Sequence, residues 1–161
     1  MSHRMERFLA AALVLSMAAC RHSQPKLPVA TPATDPVNAK AWIALGNRYF
    51  DLHQRQKAIE AYGKALQLDP NNPDVLTDQG VMYREIGAFD RAIANFEKAN
   101  TIDPRHLTSL LDLGVLYAQD LKDEDKAIKT WTRLIRLAPT SIQAARAQAY
   151  IEQLKQMAKP D

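Results

Sequence analysis

Shifted along itself by 34 residues, the chain meets its own pattern again: Trp42, Leu45, Gly46, Tyr49, Ala58, Tyr62, Ala65 and Pro70 fall on Leu76, Gln79, Gly80, Tyr83, Ala92, Phe96, Ala99 and Pro104. A fixed internal period constrains a fold more than composition does. Each unit carries an apolar face that it cannot bury alone, so the units must stack. Trp42, Leu45, Gly46 and Tyr49 stand at i, i+3, i+4 and i+7, which is one face of a helix. Ala58, Tyr62 and Ala65 form a facing stripe on a second helix, with glycine and alanine at the crossing and aromatics filling the space beside them. Asn72-Pro73 reads as a helix start, with Asn72 the N-cap and Pro73 the first helical residue.

A third unit agrees at Leu110, Leu113, Gly114 and Tyr117 and then slips. The step from tyrosine to the next conserved-type alanine is nine residues in two units (49 to 58, 83 to 92) and ten in the third (117 to 127). The extra residue is expected in the turn "QDLKDEDK", with Trp131, Leu134 and Pro139 following in the shifted frame. Leu134 stands where the other units have alanine and should push the third hairpin slightly open. Beyond it, "TSIQAARAQAYIEQLKQMAK" has an apolar stripe at Ala147, Tyr150, Ile151, Leu154 and Ala158, with Arg146, Glu152, Lys155 and Lys159 away from it. Thr140 with Gln143 fits a capping box for this last helix.

Large–x2–Leu-Gly–x2–Tyr, followed by Ala, an aromatic, Ala and Pro, closely resembles the tetratricopeptide repeat over residues 39–141. The resemblance implies an all-α, right-handed α-solenoid of three helix hairpins (39–72, 73–106 and 107–141) with a capping helix at 142–158. It also implies a peptide-binding groove lined by the first helix of each hairpin. By that correspondence the candidate groove residues are Ile43, Asn47, Phe50, Asp74, Thr77, Asp78, Val81, Arg84, Leu111, Asp112 and Val115. Members that clamp chaperone C-terminal carboxylates use Lys, Asn and Arg side chains at five positions, which this chain matches only at Asn47. Ile43, Asp78, Thr108 and Asp112 occupy the other positions, and two of them would repel a carboxylate. An apolar strip edged with Asp74, Asp78, Glu85 and Asp112 instead suits an apolar peptide or amphipathic helix with basic flanks. The remaining possibility is that these side chains are merely solvated and that partners use the convex face or the linker.

The first 20 residues read as an address. Arg4 and Arg7 precede an apolar run of twelve, "FLAAALVLSMAA", which has the length of a signal-peptide core and falls short of a spanning helix. Its end, "MAAC", resembles the lipobox of bacterial lipoproteins, with Met17 where that pattern prefers Leu. The resemblance implies acylation of Cys20 and, with Arg21 following, an outer-membrane address in a Gram-negative cell. The other reading is an ordinary cleavable signal with "SMA" as its site. Residues 21–38 hold four of the nine prolines and read as a polyproline-II tether, able to span about 50 Å.

No chemistry is spelled out along the chain. The four histidines are scattered, Cys20 is the sole cysteine, and no metal-ligand spacing or phosphate-cradling glycine loop occurs. The acidic turn at 120–126 lacks the glycine and terminal glutamate of a calcium loop and reads as a solvated turn with a helix-capping Asp. Ser109 and Ser141 have no histidine in a catalytic motif. Trp42, Tyr49, Tyr62, Tyr83, Phe96, Tyr117 and Trp131 sit at core positions of the repeat, not as stacking platforms. The net charge of +3 is interspersed, without the basic stripe nucleic acid requires. The expectation is a non-enzymatic interaction scaffold without cofactor, metal or small-molecule substrate, exported to the cell envelope and held at the membrane by lipid. Its layout resembles pilus-assembly lipoproteins and adaptors of peptidoglycan enzymes. The alternative is a substrate-holding chaperone in a periplasmic maturation pathway, on a likeness to domains that hold apocytochromes in cytochrome c biogenesis.

Overall fold

A computed structural model describes residues 38–157. The signal-like segment with Cys20, most of the proline-rich stretch, and Ala158 and Lys159 lie outside the described residues. Seven α-helices follow one another: α1 (Ala39–Asp51), α2 (Arg55–Leu68), α3 (Pro73–Glu85), α4 (Phe89–Ile102), α5 (Leu107–Val115), α6 (Glu124–Leu137) and α7 (Ile142–Met157). No strand occurs among the described residues. Each hairpin starts on a side-chain cap at the same repeat position. Asn38 accepts from Ala41 N (2.9 Å), Asn72 from Val75 N (3.2 Å), and His106 Nδ1 from Ser109 N (3.3 Å). Pro73 is the first residue of α3, as its missing donor allows.

Within each hairpin an aromatic ring packs directly against a glycine. A Cβ added at Gly46, Gly80 or Gly114 would come within 2.5, 2.7 and 2.2 Å of Tyr62, Phe96 and Trp131 respectively. Glycine therefore stands there to seat a buried ring. Each such ring stabilises the fold by about 1.5–3 kcal/mol through burial. Trp131 also donates from Nε1 to the carbonyl of Leu111 (3.1 Å) and stacks on Tyr150 of α7 at 5.1 Å between centroids. That contact, with buried Ala144, Ala147, Ile151 and Leu154, seats the capping helix. Val81 and Tyr83 pack against both the core of the first two hairpins and that of the last two, so the apolar interior runs through the stack.

The extra residue of the third unit is not in the turn. It is taken up inside the helix, where Leu116–Asp120 forms a π-helical turn and Leu121 N bonds to Leu116 O. The bond that closes the turn onto the tyrosine carbonyl comes from the fifth residue in two hairpins (Gln54 to Tyr49, Ala88 to Tyr83) and the sixth in the third (Asp123 to Tyr117). The left-handed residue still follows the helix end by two: His53, Gly87 and Lys122 have φ of 54°, 76° and 56°. A tight turn that needs one left-handed residue is costly to rebuild, whereas a π-turn costs one helical bond register. The acidic turn does end in a cap, since Asp123 Oδ1 accepts from Lys126 N at 3.0 Å. The capping box expected at Thr140 is displaced by one residue. Ser141 precedes α7 and accepts from Ala144 N at 3.0 Å, leaving Thr140 exposed.

Candidate functional site

Helices α1, α3 and α5, the first of each hairpin, carry the candidate groove residues. Between α1, α2 and α3 an open cavity of about 310 Å³ is lined by Asn47, Phe50, Asp51, Tyr62 and Asp78. Asn47 Oδ1 accepts from the Tyr62 hydroxyl at 2.9 Å. That hydroxyl is held protonated far above its usual range, by burial first and then by Asp78 and Asp51. Phe50, one residue off the core stripe, supplies the apolar wall. The cavity is thus an aromatic-walled pocket with two carboxylates.

The acid continues along the face. Burial, then the nearby Asp74, raises the carboxyl of Asp78, against the pull of His106. Asp112 is raised further, to about 6, again chiefly by burial; Asp78 adds to the rise, while Arg84, His106 and Arg146 oppose it. Burial raises a carboxyl because the ion loses water, and a cation placed beside it recovers that loss.

The other candidates distribute unequally. Ile43, Phe50, Val81 and Val115 are half-buried with part of their apolar surface open, and Asn47 and Asp74 are exposed. Thr77 and Leu111 are only 2% and 6% exposed and line no cavity on this face. Thr77 Oγ1 is turned to the Pro73 carbonyl (2.8 Å), and Leu111 packs in the core. Arg84 is occupied as an inter-repeat clasp, paired through Nε with Asp120 and donating from Nη2 to Gln119 Oε1 (3.0 Å).

One constellation escaped the sequence. His106 does stand beside Ser109, with Nδ1 3.0 Å from its Oγ, while Nε2 lies 3.0 Å from Asp74 Oδ1. The order carboxylate, imidazole, hydroxyl is that of a hydrolytic relay, but the bonding is that of a cap. Ser109 is 0% exposed and its Oγ donates to the His106 carbonyl (2.8 Å), while Nδ1 receives the Ser109 N–H. A buried hydroxyl so engaged reaches no substrate. The signal was the i, i+3 spacing of His106 and Ser109; Asp74 could come only from the stacking of two repeats. No group of three His, Cys, Asp or Glu able to hold a metal occurs among the described residues, and no described helix is long and apolar enough to cross a membrane.

Three family models described as tetratricopeptide repeat match residues 39–72, 61–94 and 108–141, together more than half the chain. The chain belongs to the tetratricopeptide-repeat family. Solved structures agree with this TPR fold. The TPR2B domain of yeast Sti1 in complex with pHsp70 superposes with a TM-score of 0.68 at 17% identity, covering 74% of this chain and 97% of that one. The first TPR domain of Spaghetti (RPAP3), bound to the HSP90 peptide SRMEEVD, gives 0.62 at 24% identity over 73% and 92%. MamA gives 0.65 at 25% identity over 75% and 70%. A comparison with curated protein sequences returned no match.

Proposed function

We propose that this protein is a non-catalytic interaction scaffold whose α1–α3–α5 face binds an apolar peptide or amphipathic helix carrying basic residues. The observation that carries the reading is the pocket lined by Phe50 together with Asp51 and Asp78, with the half-buried carboxyl of Asp112 on α5 near enough to Asp78 to feel its charge. An aromatic wall beside carboxylates receives a lysine or arginine by covering its aliphatic stem and pairing its head. Two of the neighbouring structures hold peptide or chaperone segments, which supports a polypeptide as the ligand class. The polarity here is opposite to what SRMEEVD, with its three acidic residues, would require. The lipobox-like end at Cys20 supports a place in the bacterial cell envelope, with the repeats assembling other envelope proteins.

The test is a peptide array probed with the full chain. Basic apolar peptides should be retained and acidic ones of equal hydropathy should not bind this face. The variant Asp51→Lys/Asp78→Asn should weaken the basic peptides by about tenfold or more. Retention that ignores both substitutions would refute the assignment of the face. The envelope address is checked separately by palmitate incorporation, which Cys20→Ala should abolish.

A further inference from the structure

A larger cavity, about 620 Å³, lies between α4, α5 and α6, and none of the candidate groove residues lines it. Its apolar floor is Leu110, Leu113 and Tyr117. Along α6 it is bordered by Lys126, Lys129, Arg133 and Arg136, against one acid, Glu97. Lys126 is engaged with Asp123 at 2.9 Å. Lys129, Arg133 and Arg136 stand at i, i+4 and i+7 on one helical face, with no salt bridge or side-chain hydrogen bond among the described residues.

The equivalent cleft one repeat earlier explains what is unusual here. There Gln79 Nε2 donates to the Ile59 carbonyl (2.9 Å) and Asn95 Nδ2 donates to Gln79 Oε1 (2.9 Å), a chain that ties α2, α3 and α4 together. In the repeat frame, Leu113 replaces Gln79 and Thr130 replaces Asn95. Leucine cannot donate, and Thr130 Oγ1 turns back to its own helix at Lys126 O (2.8 Å). No side-chain hydrogen bond from these two positions bridges the second cleft. Asn100, which replaces Leu66 and is only 7% exposed, lines it. Its Nδ2 donates to Phe96 O (2.8 Å), while its Oδ1 is buried without a partner. An unpaired buried acceptor costs about 1–3 kcal/mol, and the polar bridge of the first cleft leaves none.

We propose that this cleft binds an acidic peptide segment. An apolar side chain would lie on the open edge of Leu113 and Tyr117, and carboxylates would meet Arg133 and Arg136. The apolar lining beside the cations points to a peptide instead of a bare anion, which has no apolar surface to lay on it. With the basic-peptide pocket on the α1–α3–α5 face, the protein would join two partners of opposite charge.

The experiment is fluorescence anisotropy of the full chain with a labelled decapeptide of leucine at helical spacing and glutamate between. Saturable binding is expected, weakened about tenfold by Arg133→Glu/Arg136→Glu, both exposed positions. Leu113→Gln/Thr130→Asn, which rebuilds the polar chain of the first cleft, should abolish it with helical circular dichroism unchanged. Asp51→Lys/Asp78→Asn should leave it intact, so failure here is separable from failure of the basic-peptide face. No saturable binding, or binding indifferent to the arginine pair, would overturn the proposal. So would equal binding of a glutamate peptide without leucine or of phosphatidylglycerol vesicles, since either would reduce the cleft to surface charge.

Discussion

The first two hairpins and the third are built to one plan, and the third departs from it in three linked ways. Where Ala65 and Ala99 let two helices close, Leu134 is wholly buried. Tyr62 and Phe96 become Trp131, whose indole needs and finds an acceptor at Leu111 O. One residue is added, as a π-turn. Larger core side chains thus come with a longer first helix, while the turn and its left-handed residue are conserved in form. The same economy shows in the cations. Lys57, Arg91 and Lys126 lie 5.5, 5.6 and 5.4 Å from the ring centroids of Tyr49, Tyr83 and Tyr117. The sequence interval between each pair is eight, eight and nine. The π-turn absorbs the extra residue before the contact is made.

That comparison can be broken most directly at Leu134. If the third hairpin is wedged open, Leu134→Ala leaves a cavity and should cost about 3 kcal/mol by urea unfolding. A loss near zero would mean that the hairpin closes as readily as those built on Ala65 and Ala99. Next come the glycines. Gly114→Ala should cost about 2 kcal/mol, the overpacking against Trp131 exceeding the gain in helix propensity. Gly46→Ala and Gly80→Ala should cost less, in the order of their clearances of 2.5 and 2.7 Å; an inverted order would show that Trp131 yields more easily than Phe96.

The smallest effect has the opposite sign. The Asp112 carboxyl is raised to about 6, so the folded protein holds its proton more firmly than the unfolded chain. Its contribution is therefore present below the unfolded value near pH 4 and lost as pH rises to about 6. Asp112→Asn cannot ionise and escapes that loss. Above pH 7 the variant should be more stable than the parent by about 1 kcal/mol after solvent screening, with the two converging below pH 4. Parallel stability curves from pH 4 to 8 would refute the assignment of buried acid to this face. The same proton linkage predicts that a basic peptide touching Asp112 binds more tightly as pH rises through 6.

Sequence alone determined the repeat, its seven helices, the N-cap at Asn72 and the burial of Trp42, Tyr62, Phe96, Tyr117 and Trp131, because these follow from helical periodicity and local turn chemistry. It also placed Phe50 off the core stripe, where the ring lines an open cavity. Tertiary structure decided the rest. That Thr77 and Leu111 are covered, that Arg84 is spent on Asp120, that Asp74 meets His106, and that Asn100 is left with an unpaired oxygen all depend on residues about one repeat apart. The π-turn was equally hidden: counting revealed an extra residue, but only the packing of the Tyr117 ring, Lys126 and the left-handed Lys122 settled where the chain could absorb it. Periodicity reports which side of a helix is apolar, whereas the distance and angle at which the next repeat arrives set which polar atoms find partners and which do not.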